Sequence, residues 1–385
     1  MTARPDVDAA RLALDIGDPD LAPFFTQEFL SLTARFDELV DAACRAALER
    51  SGAWPPAAGA SPEELASRIG VPPAAHPAFD FLFGKLVEAG HLEREGDRLR
   101  ASGPGPEKFD EALVRFVADS PAASVGAELV ALLVEEAPDI FSGRKTGEEV
   151  LFSPQRLPLW FRYFSNANPL YSVNNALGAV VLLRELPPAG ARVLEVGGGA
   201  GSAAEALLSR AGEGRIATYR FTELVPTFLR RGERAARAAA PPGTAVEAAR
   251  LDMTRPWAEQ GIAPASFDAV YAVNCFHVAA DLDAVLAESR AALVPGGALV
   301  LSECVKPGDP RRPIYVEFIF RFLGSFNSVV THPERRPAHG FLSPAAWRAS
   351  LAAAGFTGTR LAPDVERLSA RYPDFFVAVV SATRP

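Results

Sequence analysis

A cluster of glycines separates an apolar run from a helical one in VLEVGGGAGSA (193–203). Gly197, Gly198, Gly199 and Gly201 follow the run, and AAEALLSRA comes after them. A strand, a glycine turn and a helix in that order are what a doubly wound sheet needs at the carboxyl edge of its strands, where ligands bind. Glycine serves there because it accepts positive φ and lets another group approach the backbone. The surrounding chain agrees. ARVLEVG, ATYRFTEL, AVEAARLDM, FDAVYAVNC and GALVLSECV read as short buried strands with helical stretches between them. Such alternation predicts a parallel sheet covered on both faces. PDFFVAVVSATR is expected to add a final strand pair.

The stretch upstream has a different grain. SPEELASRIG opens with a capping box, Ser61 as N-cap and Glu64 three residues on, with Pro62 at the first helical position. AFDFLFGKLVEAG follows with a glycine stop, and HLEREGDRLRAS alternates around a Glu-Gly-Asp turn as a hairpin does. This is the layout of a winged helix. A DNA-reading helix needs cations and base-edge donors. Here the helix at 78–90 has one lysine, Lys85, against Asp80 and Glu88. A scaffold or dimerisation module is the expectation. Residues 104–185 look helical and crowd Trp160, Phe161, Tyr163, Phe164 and Tyr171 with Asn166, Asn168, Asn174 and Asn175, a composition that suits a cavity wall. SGRKTGEE (142–149) is no phosphate loop, because Arg144 stands where a glycine must precede the lysine.

With 385 residues, more than one domain is expected. The boundaries read as 1–103 for the winged-helix-like unit, 104–185 for a helical linker and active-site lid, and 186–385 for the α/β domain. A net charge of −8 argues against a general nucleic-acid binder. No apolar run is long enough to span a membrane, and MTARPDVDAARLALDIGDPD does not read as a secretion signal. Cys44, Cys275 and Cys304 have no metal-ligand spacing, and His332 and His339 lack a carboxylate cluster beyond Glu334; no metal is expected. A cytoplasmic protein fits, and heavy use of Ala, Pro and Arg suggests a bacterial source.

Two ligand classes compete for the glycine turn. GAGSAA (199–204) satisfies a dinucleotide pattern, and Glu223 lies about where a ribose-binding acid belongs. Against this, Glu195 replaces an apolar strand residue, Asp252 ends the third strand, and PGGAL (295–299) turns into the fifth. VLEVGGGAGSA, FTEL, LDM, FDAVYAVNCFH and LVPGGALVLSE together resemble the class I S-adenosylmethionine-dependent methyltransferases over roughly residues 155–385. Within that family the chain resembles small-molecule O-methyltransferases with an N-terminal winged-helix dimerisation domain and free-standing polyketide-type methyltransferases. The resemblance implies a Rossmann-like α/β fold: a doubly wound, mainly parallel seven-stranded sheet behind an all-helical, winged-helix N-terminal domain.

It also implies roles. Glu223 and Leu224 would meet the ribose, and Asp252 and Met253 the adenine. Glu195, Gly197, Gly199 and Gly201 would meet the methionine portion, with Asn274, Trp160 and Tyr163 completing the cofactor contacts. His277 would be a general base oriented by Glu303, with Tyr171 and Asn175 at the reacting centre and a third acid near Glu334. The histidine's usual His-Asp-Trp context is absent, since Val278 and Ala279 follow it. VEFIFRFLGSFNSVV (316–330) offers Phe318, Phe320, Phe322 and Phe326 as core or as walls of an apolar pocket. The expected activity is in-line methyl transfer to O, N or C of a small secondary metabolite, free or carrier-linked, by a homodimer joined through its N-terminal domain. Two alternatives stand beside it. One is cyclisation of the cofactor itself, as in the azetidine-2-carboxylate synthases, with release of methylthioadenosine. The other is a regulatory winged-helix protein.

Overall fold

Ser61 and Glu64 form the capping box reciprocally. The Glu64 N–H donates to Ser61 Oγ at 3.1 Å, and the Ser61 N–H donates to Glu64 Oε2 at 3.0 Å. The helix so started, Pro62–Ile69, leads to a second at His76–Glu88 and a hairpin of β1 (Leu92–Glu95) and β2 (Arg98–Ala101). The computed structural model describes residues 7–54, 59–103 and 105–385. The first six residues, on which the expectation about a leader partly rests, lie outside these.

The chain divides into two compact units, and neither follows the boundaries expected at 103 and 185. The helical unit comprises chiefly Gln27–Tyr163 and Arg311–Ser328; the α/β unit comprises Asp8–Thr26, Phe164–Pro310 and Val329–Pro385. The reason is packing rather than chain order. In the helical unit, Phe318 and Phe322 leave their sequence neighbours to join Phe81 and Phe141, with ring centroids 6.5 and 5.8 Å apart. In the α/β unit, the segment around helix Ala9–Ile16 is held by Arg184 on Asp18 at 2.6 Å and by Tyr372 on Asp15 at 2.7 Å.

Inside the helical unit, Lys85 is buried and bonded to Asp41 at 2.6 Å and Asp37 at 2.8 Å, both on helix Gln27–Arg50. A buried ammonium survives only when paired. The lysine that might have faced a phosphate backbone is therefore an interior cation. Phe318, Phe322 and Phe326 are buried core of this unit, and Phe320 is half-buried against Trp160, Tyr163 and Phe326.

The α/β unit is built on one seven-stranded sheet of order β5-β4-β3-β6-β7-β9-β8. Its strands are β3 (Ala191–Glu195), β4 (Ile216–Glu223), β5 (Ala245–Arg250), β6 (Phe267–Val273), β7 (Leu293–Cys304), β8 (Thr357–Ala362) and β9 (Val377–Thr383). β3 to β7 run parallel, while β9 pairs antiparallel with both β7 and β8. The C-terminal run thus supplies one strand, not a pair; its partner comes from TGTRLA. Consecutive residues Ala269, Val270, Tyr271 and Ala272 of β6 are all fully buried, so the centre of the sheet is covered on both faces. Helix Pro169–Glu185 packs on β6, β7 and β9, and helix Leu282–Ala292 on β6 and β7. Among the described residues no single helix is long and apolar enough to cross a membrane.

Candidate active site

Strand order reverses between β3 and β6, and the loops at that point carry most of the expected site residues. Gly197 and Gly199 have φ of +67° and +54°, a region that costs other residues about 1–2 kcal/mol. The two glycines answer different needs. A Cβ at Gly197 would stand 2.3 Å from Cys275 Sγ, so this glycine lets the turn lie against the loop after β6. A Cβ at Gly199 would meet nothing within 4 Å, so this backbone faces open space. Gly201 is the N-cap of helix Ser202–Leu208.

Glu223 ends β4 and reaches back to the turn. The Gly199 N–H donates to its Oε2 at 2.9 Å, and the Val225 N–H to its Oε1 at 2.8 Å. An ionised carboxylate accepts about four bonds, so each oxygen keeps capacity for a hydroxyl. Leu224 beside it is 40% exposed. Asp252 follows β5. Thr254 donates to its Oδ1 from N–H and hydroxyl at 3.0 and 2.6 Å, and these bonds hold the carboxyl below its usual range. Oδ2 takes no bond among the described residues. Met253 alongside is half-buried.

Beneath the turn lies a polar floor. Glu195 ends β3, is buried, and accepts the Tyr219 hydroxyl at 2.8 Å. Burial pushes its carboxyl up to about 8, only partly offset by that bond, and the nearby Glu223 adds to the rise. Tyr271, on β6 opposite Glu195, has a buried hydroxyl with no partner among the described residues. Gly178 of helix Pro169–Glu185 crosses it so closely that a Cβ would sit 2.6 Å from that oxygen. Asn174, one turn earlier, has an unpartnered Nδ2, and Asn175 an unpartnered Oδ1. Asn175 Nδ2 donates to Asn166 at 2.8 Å, and Asn166 donates to the Ser202 carbonyl and Glu205. Asn168 is spent as the helix N-cap. Tyr171 packs edge-on against Phe164, centroids 5.1 Å apart.

The third element is a dyad. Glu303, near the end of β7 and fully buried, accepts the N–H groups of Cys275 and Phe276 at 3.2 and 2.9 Å through Oε1, and contacts His277 Nδ1 at 2.7 Å through Oε2. His277 sits in the short 3₁₀ turn Phe276–Val278, its ring tilted by 41° against Phe341 with centroids 4.2 Å apart. With Nδ1 committed to Glu303, proton chemistry falls to Nε2. Asn274 enters the turn at φ +45°, its Oδ1 accepting the Cys304 N–H at 3.2 Å; this side chain ties β6 to β7. Burial pushes the Cys275 thiol up, with Glu303, Glu223 and Glu195 adding to the effect, which fixes it as an inert thiol beside all three acids.

Trp160 and Tyr163 belong to the helical unit, where the Trp160 indole N–H is bound to the Leu151 carbonyl at 2.7 Å and the rings pack on each other. Glu334 is exposed, and its N–H caps His332 Nδ1 at 3.2 Å. The side chain turned inward from that segment is Arg336, which donates to the carbonyls of His277 and Ala279. The sequence does not single it out, because an arginine among charged neighbours is usually solvated.

Residues 194–299 match the family model described as a methyltransferase domain, and residues 55–100 match the winged helix of elongation factor SelB. Among curated proteins, polyketide synthase ThaG of Burkholderia thailandensis is 33% identical over 180 residues, 46% of this chain and 3% of its own length. Highly reducing polyketide synthase frbB of Dothideomycetidae sp. is 28% identical over 234 residues, 58% of this chain and 9% of its own. The chain thus spans less than a tenth of either relative. Among solved structures, the CurJ carbon methyltransferase superposes with a TM-score of 0.77 at 21% identity, covering 98% of both chains. The DszA carbon methyltransferase gives 0.74 at 24%, covering 97% of this chain and 95% of that one. The citrinin polyketide synthase CMeT domain gives 0.75 at 20%, covering 98% and 97%. The fold is that of these carbon methyltransferases.

Proposed function

We propose that this chain is an S-adenosylmethionine-dependent methyltransferase that alkylates carbon in a small secondary-metabolite acceptor, free or carrier-linked. The observation that carries the reading is the buried His277–Glu303 dyad, held at 2.7 Å at the same sheet edge as the glycine turn and Glu223. The cofactor's chemistry fits the donors present. Glu223 has capacity for two ribose hydroxyls, Asp252 Oδ2 for the adenine amino group, and Leu224 and Met253 for the ring. Glu195 and the unpartnered atoms of Asn174, Asn175 and Tyr271 suit an amino-acid group, which brings both donors and acceptors to a floor that lacks them.

When bound, S-adenosylmethionine supplies an electrophilic methyl group on sulfur. Glu303 fixes the tautomer of the neutral ring, His277 Nε2 takes the proton from an activated carbon beside a carbonyl, and Glu303 stabilises the resulting imidazolium. The electron pair so freed on carbon would take the cofactor's methyl group, and His277 would keep the proton until product leaves. Glu195, once a cationic ammonium faces it, is favoured in its ionised form.

The interior placement of Lys85 speaks against DNA reading by the winged-helix element, which we assign to scaffolding and to a homodimer testable by light scattering. Three free, buried thiols suit a reducing, cytoplasmic setting. The deciding experiment incubates the protein with S-adenosylmethionine and a panel of β-ketoacyl thioesters, phenols and amines. S-adenosylhomocysteine, formed with the thioesters and accompanied by loss of α-deuterium, is the expected result. Methylthioadenosine formed without any acceptor would instead make the cofactor the substrate, and methylation confined to phenols or amines would replace carbon as the acceptor.

A further inference from the structure

The 3₁₀ turn that carries His277 is held from two sides. Glu303 grips it from β7 through the N–H groups of Cys275 and Phe276 and through the imidazole itself. The other side is Arg336, 2% exposed, whose guanidinium donates to the Ala279 carbonyl at 2.7 Å through Nη1 and to the His277 carbonyl through Nη2. A buried guanidinium normally sits on a carboxylate. Here the acids that act on it, Glu303 and Asp281, do so as charges through space, and its bonds go to two main-chain oxygens instead. Burial lowers its pKa to about 10, which leaves it charged at neutral pH.

The segment that presents Arg336 is itself braced. His332 and Arg336 exchange both backbone bonds at 2.9 Å, and His332 Nδ1 accepts the N–H groups of Glu334 and Arg335 at 3.2 and 3.3 Å. Arg335 pairs with Asp283 at 2.6 Å, and the Val330 N–H donates to the Ala280 carbonyl at 2.8 Å. A planar fork on a braced support, aimed at the carbonyls of His277 and Ala279, is a device for setting that ring's position. Lysine could not copy it, because one ammonium does not offer the fork's two parallel donors.

We propose that Arg336 is a positioning residue for His277: it fixes the backbone of the 277–279 turn against Glu303, so that Nε2 is presented to the acceptor in one orientation. The inference rests on His277 being the base, and one readout is independent of turnover. The experiment compares wild type, Arg336→Met and Arg336→Lys as full chains with S-adenosylmethionine bound. His277→Gln identifies the low-field proton resonance of the Nδ1–H···Glu303 bond.

In Arg336→Met that resonance should move upfield or broaden. Turnover should fall on the order of 10²-fold, as misplacement of a reacting group does. KM for acceptor and the dissociation constant for S-adenosylmethionine should stay within about threefold, and free guanidinium should restore part of the rate. Arg336→Lys should fall between, and it decides the matter alone if the methionine variant does not fold. An unmoved resonance in the folded variant, with turnover within about twofold of wild type, would overturn the proposal. If wild type methylates nothing, the functional reading fails, and the resonance alone still decides whether Arg336 sets the ring.

Discussion

His277 Nδ1 and Glu303 Oε2 stand 2.7 Å apart, although one residue follows β6 and the other lies near the end of β7, 26 positions later. Parallel pairing of these strands, with Val273 opposite Ser302, brings the two together. A buried acid with both oxygens occupied by the turn and by the ring is a support for the imidazole rather than a solvent-facing charge. His277→Gln should lower turnover by roughly 10²–10⁴-fold with little change in cofactor affinity. Glu303→Gln should cost a similar factor and also lower the melting temperature, because two N–H bonds to a charged acceptor weaken at once. Single-turnover rates and calorimetry on both variants check this, and a full rate in His277→Gln would remove the base.

Glu223 is predicted to decide cofactor affinity. Glu223→Ala removes the brace on Gly199 and the proposed acceptor for the ribose, and should raise the dissociation constant for S-adenosylmethionine on the order of 10²-fold. Titration calorimetry reads it directly, and an unchanged constant would displace the ribose from this site.

Glu195 makes stability depend on pH in an unusual direction. Its folded carboxyl is raised from 4.5 to about 8, so between those values the folded state holds a proton that the unfolded state has lost. Its contribution is complete below pH 4.5 and is lost as pH rises toward 8, a change on the order of a few kcal/mol. The ligand-free protein should therefore melt lower at pH 8 than at pH 6, and Glu195→Gln should flatten that slope. Equal slopes in the two proteins would show that Glu195 does not hold the proton.

The two strained glycines should separate folding from binding. Gly197→Ala drives a Cβ to 2.3 Å from Cys275 Sγ and should destabilise the protein by more than about 2 kcal/mol. Gly199→Ala costs about 1–2 kcal/mol of backbone strain, since its Cβ enters open space. If the cofactor occupies that space, as proposed, affinity should fall tenfold or more while the melting temperature moves little. Thermal melts and binding isotherms on the two variants test the contrast.

Legibility of the sequence followed the physics of burial. β3, β6 and the later part of β7 are buried on both faces and read as short apolar runs, while the more exposed β4 and β5 are marked by the residue types at their carboxyl ends. β8 was illegible because TGTRLA lies at the sheet edge, without a buried residue to betray it. The aromatic–amide segment reads as a cavity wall. Yet Trp160 spends its N–H on Leu151 and Asn168 caps a helix, while Asn174 and Asn175 keep unpartnered atoms in the α/β unit. Composition alone does not distinguish these fates. Arg336 hid for the opposite reason, since arginine among charged neighbours is usually solvated.

The unit boundaries carry a practical consequence. The stretch Arg311–Ser328 leaves the α/β unit and returns to it, so neither unit is one uninterrupted length of chain. A shortened protein starting near the glycine turn would still contain Phe318, Phe322 and Phe326, now stripped of the helices that cover them. Such a fragment would carry a greasy flap and should precipitate. Recombination between relatives at a single crossover would meet the same obstacle, so functional chimaeras call for exchange of both segments together.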